Sequence, residues 1–184
     1  MKNLFVCLAA TLSLSTAFAD VSYSMPSLEG GFKWNSMDVD NSTANKQSMG
    51  WQFGGSTVIN FNEDFGLRTG LFYSERTFKA EIANQEFSGK ITYADIPLHF
   101  MFKLEDYAGI YIGPSISTKI GHEVSGGAPM TGVQSMITPI TFGAAFKFQE
   151  NMGINIFFET IGSKLADGVT ASRGIGANFM FTFN

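Results

Sequence analysis

Only one cysteine, Cys7, occurs in the 184 residues, and it lies in the N-terminal segment. The rest of the chain therefore forms no internal disulfide and has no thiol nucleophile. Histidine is almost as scarce, at two residues, which makes a poor set of metal ligands. Charged residues make up only 15% of the chain, and 12 Lys+Arg against 16 Asp+Glu leave a formal net charge of −4. That balance provides no basic footprint, so nucleic acid is not expected as a partner. Beyond the N-terminal segment no apolar run reaches the roughly 20 residues of a membrane-spanning helix, and any transmembrane structure would have to be built from strands. Glycine-rich phosphate loops are missing as well. "GIGANF" and "GLRTG" both lie in alternating segments and open no helix, so no cofactor is expected.

The N-terminus, "MKNLFVCLAATLSLSTAFAD", has a positive charge at Lys2, an apolar stretch from about Leu4 to Leu14, and the triplet Ala17, Phe18, Ala19. This is the pattern of a secretory signal peptide over 1–19, with cleavage before Asp20. It leaves 20–184 as one exported domain. Its segment is short for a membrane anchor, the alternative reading.

Aromatic residues are plentiful, with 19 Phe among them, and so is glycine, at 20. Apolar residues recur at every second position in segment after segment, the period of a strand. Ile96, Leu98, Phe100, Phe102 and Leu104 share one face of "YADIPLHFMFKL", while Asp95, His99 and Lys103 share the other. The same reading applies to segments beginning near Ser27, Trp51, Leu67, Ala108, Met136, Gly153 and Arg173, which makes eight strands. Their connections alternate in length: short near Asn62 to Asp64, Glu105 to Tyr107 and Gln149 to Asn151, and longer over Asp40 to Ser48, Ala80 to Ser88, His122 to Val133 and Ala166 to Ser172. Pro97, Pro114 and Pro139 fall inside strands and are expected at bulges or strand ends.

The face opposite the apolar row is rich in Gly, Ser, Ala and Asn and poor in charge. A soluble sandwich would need a charged outer face, whereas a narrow barrel lumen suits small residues. The fold expected is all-β, an eight-stranded antiparallel up-and-down transmembrane β-barrel. Short turns and both chain ends lie at the periplasmic end and long loops lie outside. The last strand closes against the first, so its Phe row is covered by lipid and no edge is left.

The alternating strands, "DIPLHFMFKL" followed by "YAGIYIGPSIS", and the aromatic terminal segment resemble the small outer-membrane β-barrel proteins of Gram-negative bacteria, the group that includes the OmpA transmembrane domain and OmpX. The resemblance implies an outer-membrane location, delivery by the barrel assembly machinery, and contact with outer-membrane lipid and lipopolysaccharide. It implies no specific activity.

The inward charges are the most chemical feature of the sequence. Alternation places Glu29, Lys33, Arg68, Asp95, His99, Lys119, Lys147 and Glu159 in the lumen, with Arg76 and Lys103 in the same row. Charges of both signs enclosed in a narrow barrel must pair, which suggests a plug of salt bridges. The alternatives are a narrow pore lined by the same groups and a soluble exported, lipocalin-like barrel that binds a ligand. Trp34, Trp51, Tyr73, Tyr93 and Tyr107 are expected at the lipid headgroup level. "GHEVSGG" brings His122, Glu123 and Ser125 together in a Gly-rich loop where nothing fixes a nucleophile against a base, so catalysis is not expected. The role expected is structural, or interaction with envelope and surface partners through the long loops.

Overall fold

The computed structural model describes residues 22–40, 42–82, 85–105, 107–125 and 130–183. The segment read as a signal peptide lies outside the described residues. Ten strands follow one another: β1 (Ser22–Val39), β2 (Ala44–Lys46), β3 (Ser48–Asn60), β4 (Phe65–Ile82), β5 (Gln85–Glu105), β6 (Ala108–Ser125), β7 (Met136–Ile137), β8 (Ile140–Gln149), β9 (Met152–Ile161) and β10 (Val169–Thr182). Every pairing is antiparallel, in the order β4–β3–β1–β10–β9–β8–β6–β5, and β5 returns to β4. The eight long strands thus close into an up-and-down barrel, with β10 paired to β1 from Ser27↔Thr182 to Val39↔Val169. Closure removes the exposed edge that an open sheet would carry.

The two short strands are extensions of this wall. β2 pairs with β4 beyond the end of β3, and β7 prolongs β8 past Pro139. Pro139 donates no backbone hydrogen bond, so the ladder is interrupted there. Its carbonyl still accepts from the Ser115 amide at 2.8 Å, and pairing passes from Pro114↔Ile140 to Ser117↔Ile137 without a change of register. A bulge between Ser24 and Ser27 gives Met25 a φ of 52° and packs it against the apolar cluster at the short-turn end.

Three tight turns, between β3 and β4, β5 and β6, and β8 and β9, sit at the same end as the start of β1 and the end of β10. At the other end two expected loops are partly strand. Ladder pairs continue through Glu81↔Glu86, and β6 runs to Ser125 opposite Ser88. Ion pairs support this extension: Lys46 with Glu81 and Glu86, and Lys90 with Glu75 and Glu123. The sequence reads as loop there because Lys79, Glu81, Glu86, Ser88 and Lys90 make the segment polar. The wall is consequently tall on one side: β4, β5 and β6 have 18, 21 and 18 residues, whereas β8 and β9 have 10 each. Since about 9–11 residues cross a bilayer, β4 to β6 project well beyond it.

The outer surface carries a continuous apolar belt. Phe100, Phe142, Phe158, Ile175 and Phe179 all point outward and are exposed. A soluble ligand-binding barrel would turn such residues inward, and that alternative is set aside.

Candidate functional site in the barrel lumen

Side chains fill the interior in layers. Nearest the short turns, Val58, Met101, Tyr111, Ala145 and Phe157 form an apolar floor. Two glycines make room for its rings. Gly143 and Gly176 are paired directly with Tyr111 and Phe157, whose rings lie where a Cβ on either glycine would stand.

Above the floor, Glu29 on β1 is held by four donors. Ser56 Oγ and Arg68 Nη2 donate to Oε1, both at 2.5 Å, while Asn155 Nδ2 at 2.7 Å and Asn178 Nδ2 at 3.5 Å donate to Oε2. The Tyr111 hydroxyl donates to Asn155 Oδ1 at 2.7 Å and so orients that amide. The Arg68 guanidinium lies 4.8 Å from the Tyr111 ring centroid, and His99 stacks on the same ring at 5.0 Å. His99 Nε2 is 3.1 Å from Ser115 Oγ, and this hydroxyl, not Asp95, is its polar partner.

A second charge layer lies higher. Arg76 on β4 donates to Asp95 through Nη1 and Nη2, at 3.2 and 3.0 Å, and to Glu159 through Nε and Nη2, at 3.1 and 2.7 Å. Lys33 on β1 donates to Glu159 Oε1 at 3.1 Å and to Ser74 Oγ at 2.8 Å. Lys33 and Arg76 have side-chain exposures of 0%. Across the two layers three cations face three carboxylates, so the enclosed charge balances and every ion has a charge-assisted hydrogen bond. A cavity of about 30 Å³ between the layers touches Arg68, His99, Ser115, Asn155 and Glu159, and it has room for about two water molecules.

The loop end is closed by an apolar cap of Met37, Phe78, Ile91, Tyr93, Ile137, Ile161, Leu165, Ala166 and Val169. Tyr93 belongs to this cap and not to the headgroup level. A register shift between Thr92 and Tyr93 and the inward phase of β5 bring its ring against Arg76, with the guanidinium carbon 5.0 Å from the ring centroid, and its hydroxyl donates to the Gln134 carbonyl. Trp34, Trp51 and Tyr107 do stand exposed on the outside.

Of the residues singled out from the sequence, Glu29, Lys33, Arg68, Asp95, His99 and Glu159 meet in these buried layers. Lys119 and Lys147 stand apart from them. Lys119 Nζ reaches the Val133 carbonyl at 3.5 Å near the loop end, and Lys147 is half-buried beside the turn after β8. They lie at other heights along the barrel than the charge layers. Arg76 binds both upper carboxylates and is the hub of the layer. His122 and Ser125 fall on opposite faces of β6, and Glu123 is engaged by Lys90, so "GHEV" assembles no base and nucleophile.

No curated protein sequence matches the chain. Among solved structures it is similar to Neisserial surface protein A, at 13% identity and a TM-score of 0.59, over 88% of this chain and 99% of that one. It is also similar to Ail, the attachment invasion locus protein of Yersinia pestis, at 17% identity and a TM-score of 0.43, over 86% and 99% of the two chains. OprG from Pseudomonas aeruginosa aligns at 9% identity and a TM-score of 0.44, over 87% and 97%. The likeness to Neisserial surface protein A is one of fold. The family model described as "Outer membrane protein beta-barrel domain" matches residues 4–183, and the chain belongs to that family of outer-membrane barrels.

Proposed function

We propose that this barrel acts as a structural and surface-interaction protein of the outer membrane, without catalysis and without a conducting lumen. The observation that carries the reading is the layer of Arg76, Lys33, Asp95 and Glu159 that crosses the interior beneath an apolar cap. A pore would keep its charged groups hydrated, whereas these ions are bonded to one another. What the molecule then offers outside is the projecting wall of β4 to β6 and the loops around it. Contact with lipopolysaccharide in the outer leaflet and delivery by the barrel assembly machinery belong to the same reading.

Planar-bilayer recording on the full chain tests it. The plugged lumen gives no steady current, and a steady wild-type current whose ion selectivity changes when Glu159 is neutralised would establish the narrow pore instead. Replacing 79–90 with a tight turn tests the surface role: the barrel should still fold, while adhesion of cells carrying it to their surface partners should fall.

A further inference from the structure

At the loop end, a cleft of about 220 Å³ lies between Phe78, Phe87, Val124, Met130, Val169 and Asp40. Phe78 and Val169 belong also to the apolar cap, so the cleft rests directly on it. Strand phase explains why it is apolar. Ladder pairs set Phe78 beside Gly89, Gly89 beside Val124, and Ala80 beside Phe87, and one face of the projecting wall turns these residues inward. The opposite face of the same strands carries Lys79, Glu81, Glu86, Lys90 and Glu123, all engaged in ion pairs. The extension beyond the membrane is thus charged outside and apolar inside. Gly89 contributes by what it lacks: the Phe78 ring lies 2.3 Å from where its Cβ would stand, and the Met130 methyl 3.2 Å from the same point. The ring can therefore cross β5 and form one side of the cleft.

Two carboxylates stand at the rim, Asp40 after β1 and Asp167 in the loop between β9 and β10. Asp167 is engaged by Lys164 and by the Thr131 hydroxyl. Asp40 is held by its backbone, whose amide donates to the Gly168 carbonyl at 2.8 Å, while its side chain forms no ion pair or hydrogen bond with any described residue. Lys119 directs its ammonium at the Val133 carbonyl and does not line the cleft. The negative charge of Asp40 is therefore left uncompensated beside an apolar hollow.

We propose that this cleft binds a small organic cation with one ring, an aralkyl ammonium. The ring lies among Phe78, Phe87, Val124 and Met130, and the ammonium donates to the Asp40 carboxylate at the rim. Size sets one limit: an apolar cavity of about 150 Å³ holds benzene, so a cleft of about 220 Å³ has room for one ring and a short arm but not for a long acyl chain. Charge sets the other, since a neutral guest leaves Asp40 unpaired and an anion is repelled. Two Phe rings favour an aromatic guest through offset or edge-to-face contact. The site lies outside the charge layers, so it stands whether or not the lumen conducts.

The test titrates phenethylamine near neutral pH into the full-length folded barrel in phosphatidylcholine nanodiscs, with isotope-labelled methionine methyl groups followed by NMR. A saturable shift of the Met130 methyl is expected, while Met49 and Met136, exposed on the outer wall, stay unshifted. Phenethyl alcohol keeps the ring and lacks the charge, and should bind about tenfold more weakly. D40N should lower the affinity for the amine by about the same factor, the scale of one charge-assisted contact. D38N removes an exposed carboxylate from the outward face of β1 and should change nothing. V124F, which fills the cleft, should abolish binding of both compounds, and heat-dependent gel mobility checks that each variant folds. Equal affinity for amine and alcohol would overturn the proposal, as would an unchanged affinity in D40N. Equal shifts at Met49, Met136 and Met130, the mark of partition into the bilayer only, would overturn it too, and so would the absence of a saturable Met130 shift.

Discussion

Glu159 on β9 accepts two hydrogen bonds from Arg76 on β4, at 2.7 Å to Oε2 and 3.1 Å to Oε1, although those strands are not neighbours in the sheet. The bond spans the lumen, and Lys33 on β1 joins it from a third direction. Such a tie fixes the separation of opposite walls where a soluble protein would use a hydrocarbon core.

Removing the carboxylate should therefore be costly. Glu159→Ala leaves Lys33 with only the Ser74 hydroxyl and leaves Arg76 with Asp95 alone. Breaking a buried pair from one side costs about 3–5 kcal/mol. Urea unfolding from lipid vesicles should show a lower midpoint for this variant. An unchanged midpoint would mean that water already solvates these ions.

The outer belt gives a prediction of opposite chemistry. Phe142 and Phe158 face each other across β8 and β9, with exposures of 53% and 41%, and Phe100 stands on β5. Phe→Arg at any of the three should make folding into bilayers less favourable by about 2–4 kcal/mol near the midplane, and by less near an interface. If all three variants folded into vesicles with wild-type stability, the belt would not face lipid.

Much of this was legible in the sequence, and the residues show why. The phase of each strand follows from alternation alone, which places Ile96, Phe100, Phe142 and Ile175 outward and Arg68, Asp95 and Glu159 inward with no knowledge of their neighbours. Partners were not legible. Lys33 and Glu159 are 126 residues apart and meet because of closure and strand tilt, which no local pattern encodes. The apolar layers were also hidden. Tyr111 and Phe157 interrupt inward rows of small residues, and their role becomes visible only when register sets each against a glycine on the next strand. The upper halves of β4 and β5 escaped because Lys79, Glu81, Glu86 and Lys90 read as loop composition, whereas cross-strand pairing of these charges is what keeps the strands extended.

Asp167, in the loop between β9 and β10, gives a pH dependence outside the membrane. A hydrogen bond from Lys164 at 2.7 Å, and then one from Thr131 at 2.9 Å, hold its carboxyl below the usual carboxylate range. A depressed carboxylate contributes stability that is present above the unfolded value of about 3.9 and lost as pH falls through the lower folded value. The loop should thus loosen only in strong acid. Chemical shifts of the Asp167 and Thr131 amides, followed by NMR in nanodiscs, should titrate together there, and D167N should abolish the effect. Titration of both amides near neutral pH would contradict this account.

Leu165 lies in the same loop, with an exposure of 0%, and packs into the cap above Tyr93 and Ile161. Its carbonyl accepts from the Gln134 amide at 2.8 Å and its own amide donates to Val169, so the loop is pinned by both backbone and side chain. Leu165→Ala should cost about 2–5 kcal/mol, the upper part of that range applying if the surrounding side chains cannot close the space. Because Gln134 hangs on Leu165, hydrogen exchange at its amide should accelerate, while amides in the β1–β10 ladder keep their protection. Cap and charge layer are barriers in series. L165A alone should therefore remain silent in planar bilayers, since Arg76 and Glu159 still cross the lumen beneath it. L165A combined with E159A should admit current, because it weakens both barriers at once. Steady current through L165A alone would show that the Arg76–Glu159 layer does not close the barrel.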